Sequence, residues 1–163
     1  MKTLIPREKW FIAMSGIIIL AAYFGIAAIG NTDIYSLTRV ITGQNLGCNL
    51  QGINLSGYHK PETGLAGADL EYAVLVDANL SDSNFTGAFM RYADLSGAIL
   101  QNAILRNAVL NSSNMTNVDL RGADLRGAYL ADANLKGALV TSEQLATTNT
   151  LSGATLPDGT LHQ

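Results

Sequence analysis

From Ala68 to Leu135 a large apolar residue recurs at every fifth position: Leu70, Leu75, Leu80, Phe85, Met90, Leu95, Leu100 and so on to Leu130 and Leu135. With this residue as position i, position i−2 is small, mostly Ala (Ala68, Ala73, Ala78), with Ser83, Ser113 and Val118 as variants. A period of five suits neither regular element. On an α-helix five residues advance by about 500°, so the leucines would spiral around the axis instead of forming a stripe. In one straight strand odd spacing would send successive leucines to opposite faces. Positions i−2 and i do share a strand face. The pattern therefore predicts a short extended piece that buries i−2 and i, then a turn, then the same again. Position i+2 agrees, being Gly at 52, 57, 67, 87, 97, 122, 127 and 137 and often Asn, Asp or Ser elsewhere. These residue types tolerate turn dihedrals or bond locally to the backbone.

A chain that turns at regular intervals and stacks on itself leaves backbone groups free to pair between layers about 4.8 Å apart. The predicted fold class is an all-β solenoid held by neighbour-to-neighbour contacts. Units such as ADLSG, ANLSD, ADLRG and ANLKG closely resemble the pentapeptide-repeat family, whose unit is A(D/N)LXX. The resemblance covers roughly residues 48–156, about two-thirds of the chain. It implies a right-handed quadrilateral β-helix with four repeats, twenty residues, per coil, its interior filled by the central residue and the small one before it.

The flanks read differently. Residues 1–9 are basic, with Lys2, Arg7 and Lys9 against Glu8. Trp10–Ile29 is then uncharged, long enough as a helix to cross the roughly 30 Å of a bilayer core. The pattern predicts a transmembrane helix over 10–30, with Trp10 at the interface. The positive-inside rule places the N-terminus in the cytoplasm and the repeats outside it, in a periplasm or thylakoid lumen. A cleaved signal peptide is the competing reading, since Ala28-Ile29-Gly30 is a passable cleavage site, although the run exceeds a usual signal core. Residues 31–47 form a linker with a short helix capped by Thr32 or Asp33 and an apolar face of Ile34, Leu37, Val40 and Ile41, expected to lid the first coil. This arrangement looks like membrane-anchored pentapeptide proteins of cyanobacteria. Such relatives often carry a CxxC pair here, whereas Asn45 stands in place of the first cysteine, so Cys48 reads as an inward filler.

The β-helix is expected over 48–140, interrupted at 57–64 (GYHKPETG), where Lys60 falls at a centre position. A buried lysine is costly, so the segment is expected to bulge as a loop. After Leu135 the pattern decays. Thr141 and Gln144 offer a capping box for a short helix, and 141–163 reads as a C-terminal cap with a frayed tail containing His162. A formal charge of −3 does not advertise nucleic-acid binding, and a single cysteine excludes an intramolecular disulfide. There is no phosphate loop, metal-spaced cluster or nucleophile motif. The chain reads as non-enzymatic, with no catalytic residue, cofactor or metal. Asp69, Asp94, Asp119 and Asp124 sit at i−1 as part of the repeat signature and read as turn supports.

The outward positions carry the remaining signal. With the family's twenty residues per coil, Phe89, Val109 and Tyr129 stack at i−1 on one side, and Tyr72 and Tyr92 at i+2 on the same side. Around one coil Ile99, Ile104 and Val109 replace the usual Asp or Asn. Together Tyr72, Phe89, Tyr92, Ile99, Ile104, Val109 and Tyr129 form the candidate interaction face. The expected role is a membrane-anchored scaffold or assembly protein docking a protein partner, such as a membrane complex, as a monomer or a subunit of something larger. Two alternatives stand beside it. One is a soluble exported protein after signal cleavage. The other is a polymer mimic of the kind by which some pentapeptide proteins bind DNA gyrase, which the export signal and near-balanced charge oppose.

Overall fold

The computed structural model describes residues 47–163. The basic flank 1–9, the apolar run expected to span a membrane at 10–30 and the cap helix expected within 31–47 lie outside the described residues. Among the described residues no helix is long and apolar enough to cross a membrane.

The chain winds as a four-sided solenoid. Parallel bridges join each i−1 residue to the one twenty positions on, so four ladders run up the molecule. Side 1 is Asn49–Asp69–Phe89–Val109–Tyr129, side 2 Asn54–Val74–Asp94–Asn114–Asn134, side 3 His59–Asn79–Ile99–Asp119–Leu139, and side 4 Gly64–Asn84–Ile104–Asp124. The backbone bonds alternate in direction: Leu50 N–H donates upward to the Asp69 carbonyl at 2.7 Å, and Asp69 N–H donates down to the Cys48 carbonyl at 2.9 Å. Every corner but the one at Thr63 closes with a bond from the next i−2 N–H back to the centre carbonyl, as from Ile53 to Leu50 at 3.1 Å. The i+2 residue has positive φ at these corners while i+1 does not, the type II pattern. Asn or Asp at i−1 supports the corner, its side chain accepting from the i+1 N–H, as at Asn49, Asn54, Asp69, Asn79, Asn84, Asp94, Asn114, Asp119, Asp124 and Asn134.

The interior is a column of centre residues, Leu50 through Leu135, interleaved with the alanines at i−2. Apart from Lys60 these side chains are all but completely buried. Cys48 takes an i−2 position and is buried.

The expected loop at 57–64 is not there. The coil runs through it in register: His59 and Gly64 bridge Asn79 and Asn84, and Gly57 and Glu62 take the positive-φ corner conformation. Three substitutions compensate for the off-pattern residues. Tyr58, large where the position is usually Ala, is buried in the core, and Lys60 is only half-buried, so a ring fills volume that the lysine leaves and the charge is not enclosed. Burial pushes the Tyr58 hydroxyl's pKa up. Pro61 pre-sets the turn. Thr63 then donates its hydroxyl to the Lys60 carbonyl at 2.6 Å, while its N–H turns to the buried Ser83 hydroxyl one coil above, 2.9 Å away.

The C-terminal end is closed by local chemistry. Helix α1, Ser142–Leu145, starts at Thr141 with a full capping box. Its Gln144 amide donates to the Leu120 and Ala123 carbonyls at 2.7 and 2.8 Å, standing in for the missing side-4 rung, and Leu145 is buried. The helix shifts the register by one residue, so that Tyr129 and Asn134 pair with Thr150 and Thr155. The tail is not frayed. It folds back antiparallel, Thr155 bridging Leu161, with His162 N–H donating to the Ala154 carbonyl, which covers part of an edge that would otherwise template further strands.

Candidate interaction face

Side 1 and its corner toward side 2 collect most of the outward aromatics. Phe89, Val109 and Tyr129 follow one another in one ladder, Phe89 47% and Tyr129 37% exposed. At the corner beside them the Tyr72 and Tyr92 rings stack with centroids 5.1 Å apart and planes 11° from parallel, and both are more than half exposed. The stack follows from the register: a strand spacing of about 4.8 Å sets two like residues on successive coils at ring-stacking distance.

Two local costs coincide on this side. Tyr72 and Tyr92 occupy the left-handed corner conformation at φ 59° and 58°, where a Cβ and a bulky ring are disfavoured. Elsewhere in the repeats this position holds Gly, Asn, Asp or Ser, apart from Glu62. Phe89, Val109 and Tyr129 replace the Asn or Asp that would accept the i+1 N–H, so three successive coils forgo that turn bond on one side. Both departures expose apolar surface; the ring stack offsets the tyrosine strain by about as much as it costs, while the lost turn bonds have no replacement among the hydrogen bonds of this side.

The other two sequence-predicted residues lie elsewhere. Ile104 is on side 4, around the corner from side 1, and Ile99 is on side 3, across the coil. The apolar band of Ile99, Ile104 and Val109 therefore wraps three sides, and only Val109 joins the aromatic strip. Leu139, exposed on side 3 above Asp119, was not singled out from sequence. Its i−1 position was the available signal.

The arginines are arranged otherwise. Arg121 pairs with Asp119 at 2.7 Å and Arg126 with Asp124, each within its own repeat, and Arg106 lies 3.7 Å from Asp124. The hydrogen bonds from Arg121 hold the Asp119 carboxyl well below its ordinary range, with Gln101 assisting. Those from Arg126 hold Asp124 down to about 2. This surface is solvated and self-paired. Among the described residues no group of three or more His, Cys, Asp or Glu is placed to hold a metal ion.

A four-sided β-solenoid with a buried Leu/Ala column and an aromatic strip on one side is a repeat scaffold. The sequence model for pentapeptide repeats matches residues 65–102 and 103–141 in eight copies. HetL, a pentapeptide repeat protein involved in heterocyst differentiation regulation in the cyanobacterium Nostoc, is 33% identical with a TM-score of 0.68, over 72% of this chain and 54% of that one. This chain thus spans about half of HetL. A second Nostoc pentapeptide repeat protein is 33% identical with a TM-score of 0.52, over 63% of this chain and 80% of that one. A pentapeptide repeat protein of the Arabidopsis thaliana thylakoid lumen is 26% identical with a TM-score of 0.58, over 73% and 83% of the two chains. No curated protein matches. The chain belongs to the pentapeptide-repeat family.

Proposed function

We propose that the protein is a non-enzymatic scaffold or assembly factor that is anchored in a membrane by its N-terminal apolar run and presents a rigid solenoid outside the cytoplasm, docking a protein partner through side 1. The observation that carries the docking is the column Phe89–Val109–Tyr129 beside the Tyr72–Tyr92 stack, exposed apolar surface kept at a local cost on a side that the core does not need. The anchor rests on the sequence alone: twenty uncharged residues from Trp10 to Ile29 behind a basic flank. The likeness to a thylakoid-lumen protein supports an exported compartment.

Affinity capture from gently solubilised native membranes, with the wild type beside a Phe89→Ser, Tyr129→Ser double variant of matched abundance, tests the docking. A defined partner held by the wild type and lost in the variant is the expected result. The same partner held equally by both moves the contact off side 1, and no partner in either removes the docking role. The mass of the mature chain tests the anchor. An intact N-terminus found in the membrane fraction is expected, whereas a chain shortened near Gly30 and recovered in the soluble fraction replaces the anchor with a cleaved signal.

A further inference from the structure

The rungs of side 1 have unlike ends. At the second and third rungs, centred on Asp69 and Phe89, the end toward side 4 holds Gly67 and Gly87, while the end toward side 2 carries the exposed rings of Tyr72 and Tyr92. A Cβ at Gly87 would meet nothing within 4 Å, and one at Gly67 only the Gly47 backbone at 3.8 Å. At the fifth rung, centred on Tyr129, Arg126 stands toward side 4 and Asp132 toward side 2, both exposed. Arg126 bonds its own Asp124 through Nε and Nη2, which leaves Nη1 for a second carboxylate. Asp132 forms no ion pair among the described residues. Side 1 thus has rings at one edge and bare seats at the other, at the same heights, and its opposite charges are divided in the same way.

A half-turn about an axis parallel to the ladder exchanges the two edges and keeps every rung level. A second copy of this chain related in that way lays Tyr72 and Tyr92 over Gly67 and Gly87, twice, and sets each Asp132 opposite an Arg126. Phe89, Val109 and Tyr129 meet their twins at the centre, the isologous arrangement of a twofold pair. Asp69 also meets its twin there, which is a cost, with Arg91, which makes no ion pair among the described residues, one rung above it on each copy. The other half-turn, across the ladder, would bring each edge against itself and point the two N-terminal ends apart. The parallel relation starts both solenoids at the same end, so two chains anchored in one membrane can meet in it.

We propose that side 1 is the interface of a parallel homodimer formed in the membrane, each copy seating its tyrosine edge on the glycine edge of the other. From Asn49 to Thr150 side 1 rises five coil spacings, about 24 Å, and five residues a side make it at most about 17 Å wide. Its area of about 400 Å² is half of the roughly 800 Å² per partner in a stable interface. The pair is therefore weak in dilute solution and depends on two anchors in one bilayer to keep the copies concentrated. The proposal rests on side 1 being a docking face and names what it docks.

The test is cross-linking of the full-length chain in its native membrane, on a Cys48→Ala background that removes the buried native cysteine. Val109→Cys, at the centre of side 1, faces its twin, and a bismaleimide of about 10 Å, the spacing of two packed sheets, joins them. Ile99→Cys, on side 3, is the control. The dimer yield at 109 is expected to be about fivefold or more that at 99. Asn49→Cys, on the lowest rung, should cross-link as well, because a parallel pair keeps every rung level. Added to Val109→Cys, Gly87→Asp fills the seat of Tyr92 and should cut the yield about fivefold. The corner accepts that change, since an aspartate below Asn107 repeats the arrangement of Asp82 below Asn102. Tyr92→Ser, which installs the residue that the next coil holds in the same conformation, should do the same. Equal yields at 109 and 99, no dimer at 49, or an undiminished yield in either variant overturns the proposal. If the membrane capture then yields a different protein, lost in the Phe89→Ser, Tyr129→Ser variant, the docking reading survives that failure and only the second copy is withdrawn.

Discussion

Ser83 and Ser113 occupy the same i−2 position in different coils, both buried, and both stand where most repeats have alanine. Their surroundings differ. Ser83 accepts the Thr63 N–H, which makes no corner bond to the Lys60 carbonyl; that carbonyl accepts the Thr63 hydroxyl. Ser113 only donates to the Leu110 carbonyl, which also receives the Ser113 N–H. Ser83→Ala strands a buried donor and should cost about 1–3 kcal/mol, while Ser113→Ala should lie within about 1 kcal/mol of the wild type. Urea unfolding of the two variants side by side checks this, and equal losses would mean that the Thr63 N–H finds another acceptor. Replacement toward the family's usual alanine is thus harmful in one coil and harmless in another.

At the scale of the element, the corners form columns in which each side chain is fitted to the coil above. Asp77, Asn102, Asn107, Asn117 and Asp132 each set a side-chain oxygen where a Cβ would stand at Gly97, Gly122, Gly127, Gly137 and Gly153. These glycines therefore answer two demands, a φ near 70° and room for the oxygen below. At Gly52 and Gly57 only the first applies, since a Cβ there meets nothing. Gly52→Ala should cost about 1–2 kcal/mol through backbone conformation, and Gly127→Ala measurably more. Adding Asn107→Gly to Gly127→Ala should recover the difference, and a double variant no better than Gly127→Ala would show that the oxygen is not the obstacle. The side-4 ladder has a pH signature as well. Arg126 first, with Arg106 behind it, holds the folded Asp124 carboxyl at about 2, below the roughly 3.9 of an unfolded aspartate. Its contribution is complete above about pH 4 and is lost as the pH falls through 2. Arg126→Gln should be slightly less stable than the wild type at pH 7 and no different below pH 2. The gap is small because the Arg126 side chain is 60% exposed, and 1 M salt should shrink it further. A gap that persists at pH 2 would assign it to lost packing of the arginine stem.

Across the whole molecule, stability is a sum over neighbouring coils, so positions in the central column and on side 1 should respond in opposite ways. Leu95→Ala opens a cavity in a fully buried column and should cost about 2–5 kcal/mol. Tyr92→Gly, three residues earlier, loses a ring stack worth about 0.5–1.5 kcal/mol but relieves a left-handed tyrosine worth about as much. It should leave stability within about 1 kcal/mol of the wild type while disabling side 1. Thermal unfolding of both variants separates the two classes, and a large loss in Tyr92→Gly would make the tyrosine stack a structural brace in place of a contact surface.

The period of five, with apolar and small residues at i and i−2, determined the solenoid by itself, because no other backbone path buries both positions in every repeat. The aspartates at i−1 were legible as turn supports for the same reason: the repeat places each of them one residue before a buried centre, and ten Asn and Asp side chains make that bond. The candidate face was legible as a column once the twenty-residue coil was taken from the family resemblance. Three things belonged to the tertiary structure. The stretch from Gly57 to Gly64 stays in the coil, His59 and Gly64 bridging Asn79 and Asn84 and the Thr63 N–H bonding Ser83 a full turn away, contacts that local sequence does not display. Ile99 and Ile104 part from Val109 because five residues of chain turn one corner, so apolar residues that look continuous in sequence point to three different sides. Tyr72 and Tyr92 became a strained, stacked pair because only the winding of one coil on the next brings residues twenty apart into contact. Local spacing sets the path of the backbone, whereas contacts between coils decide which departures from the pattern are absorbed and which are displayed.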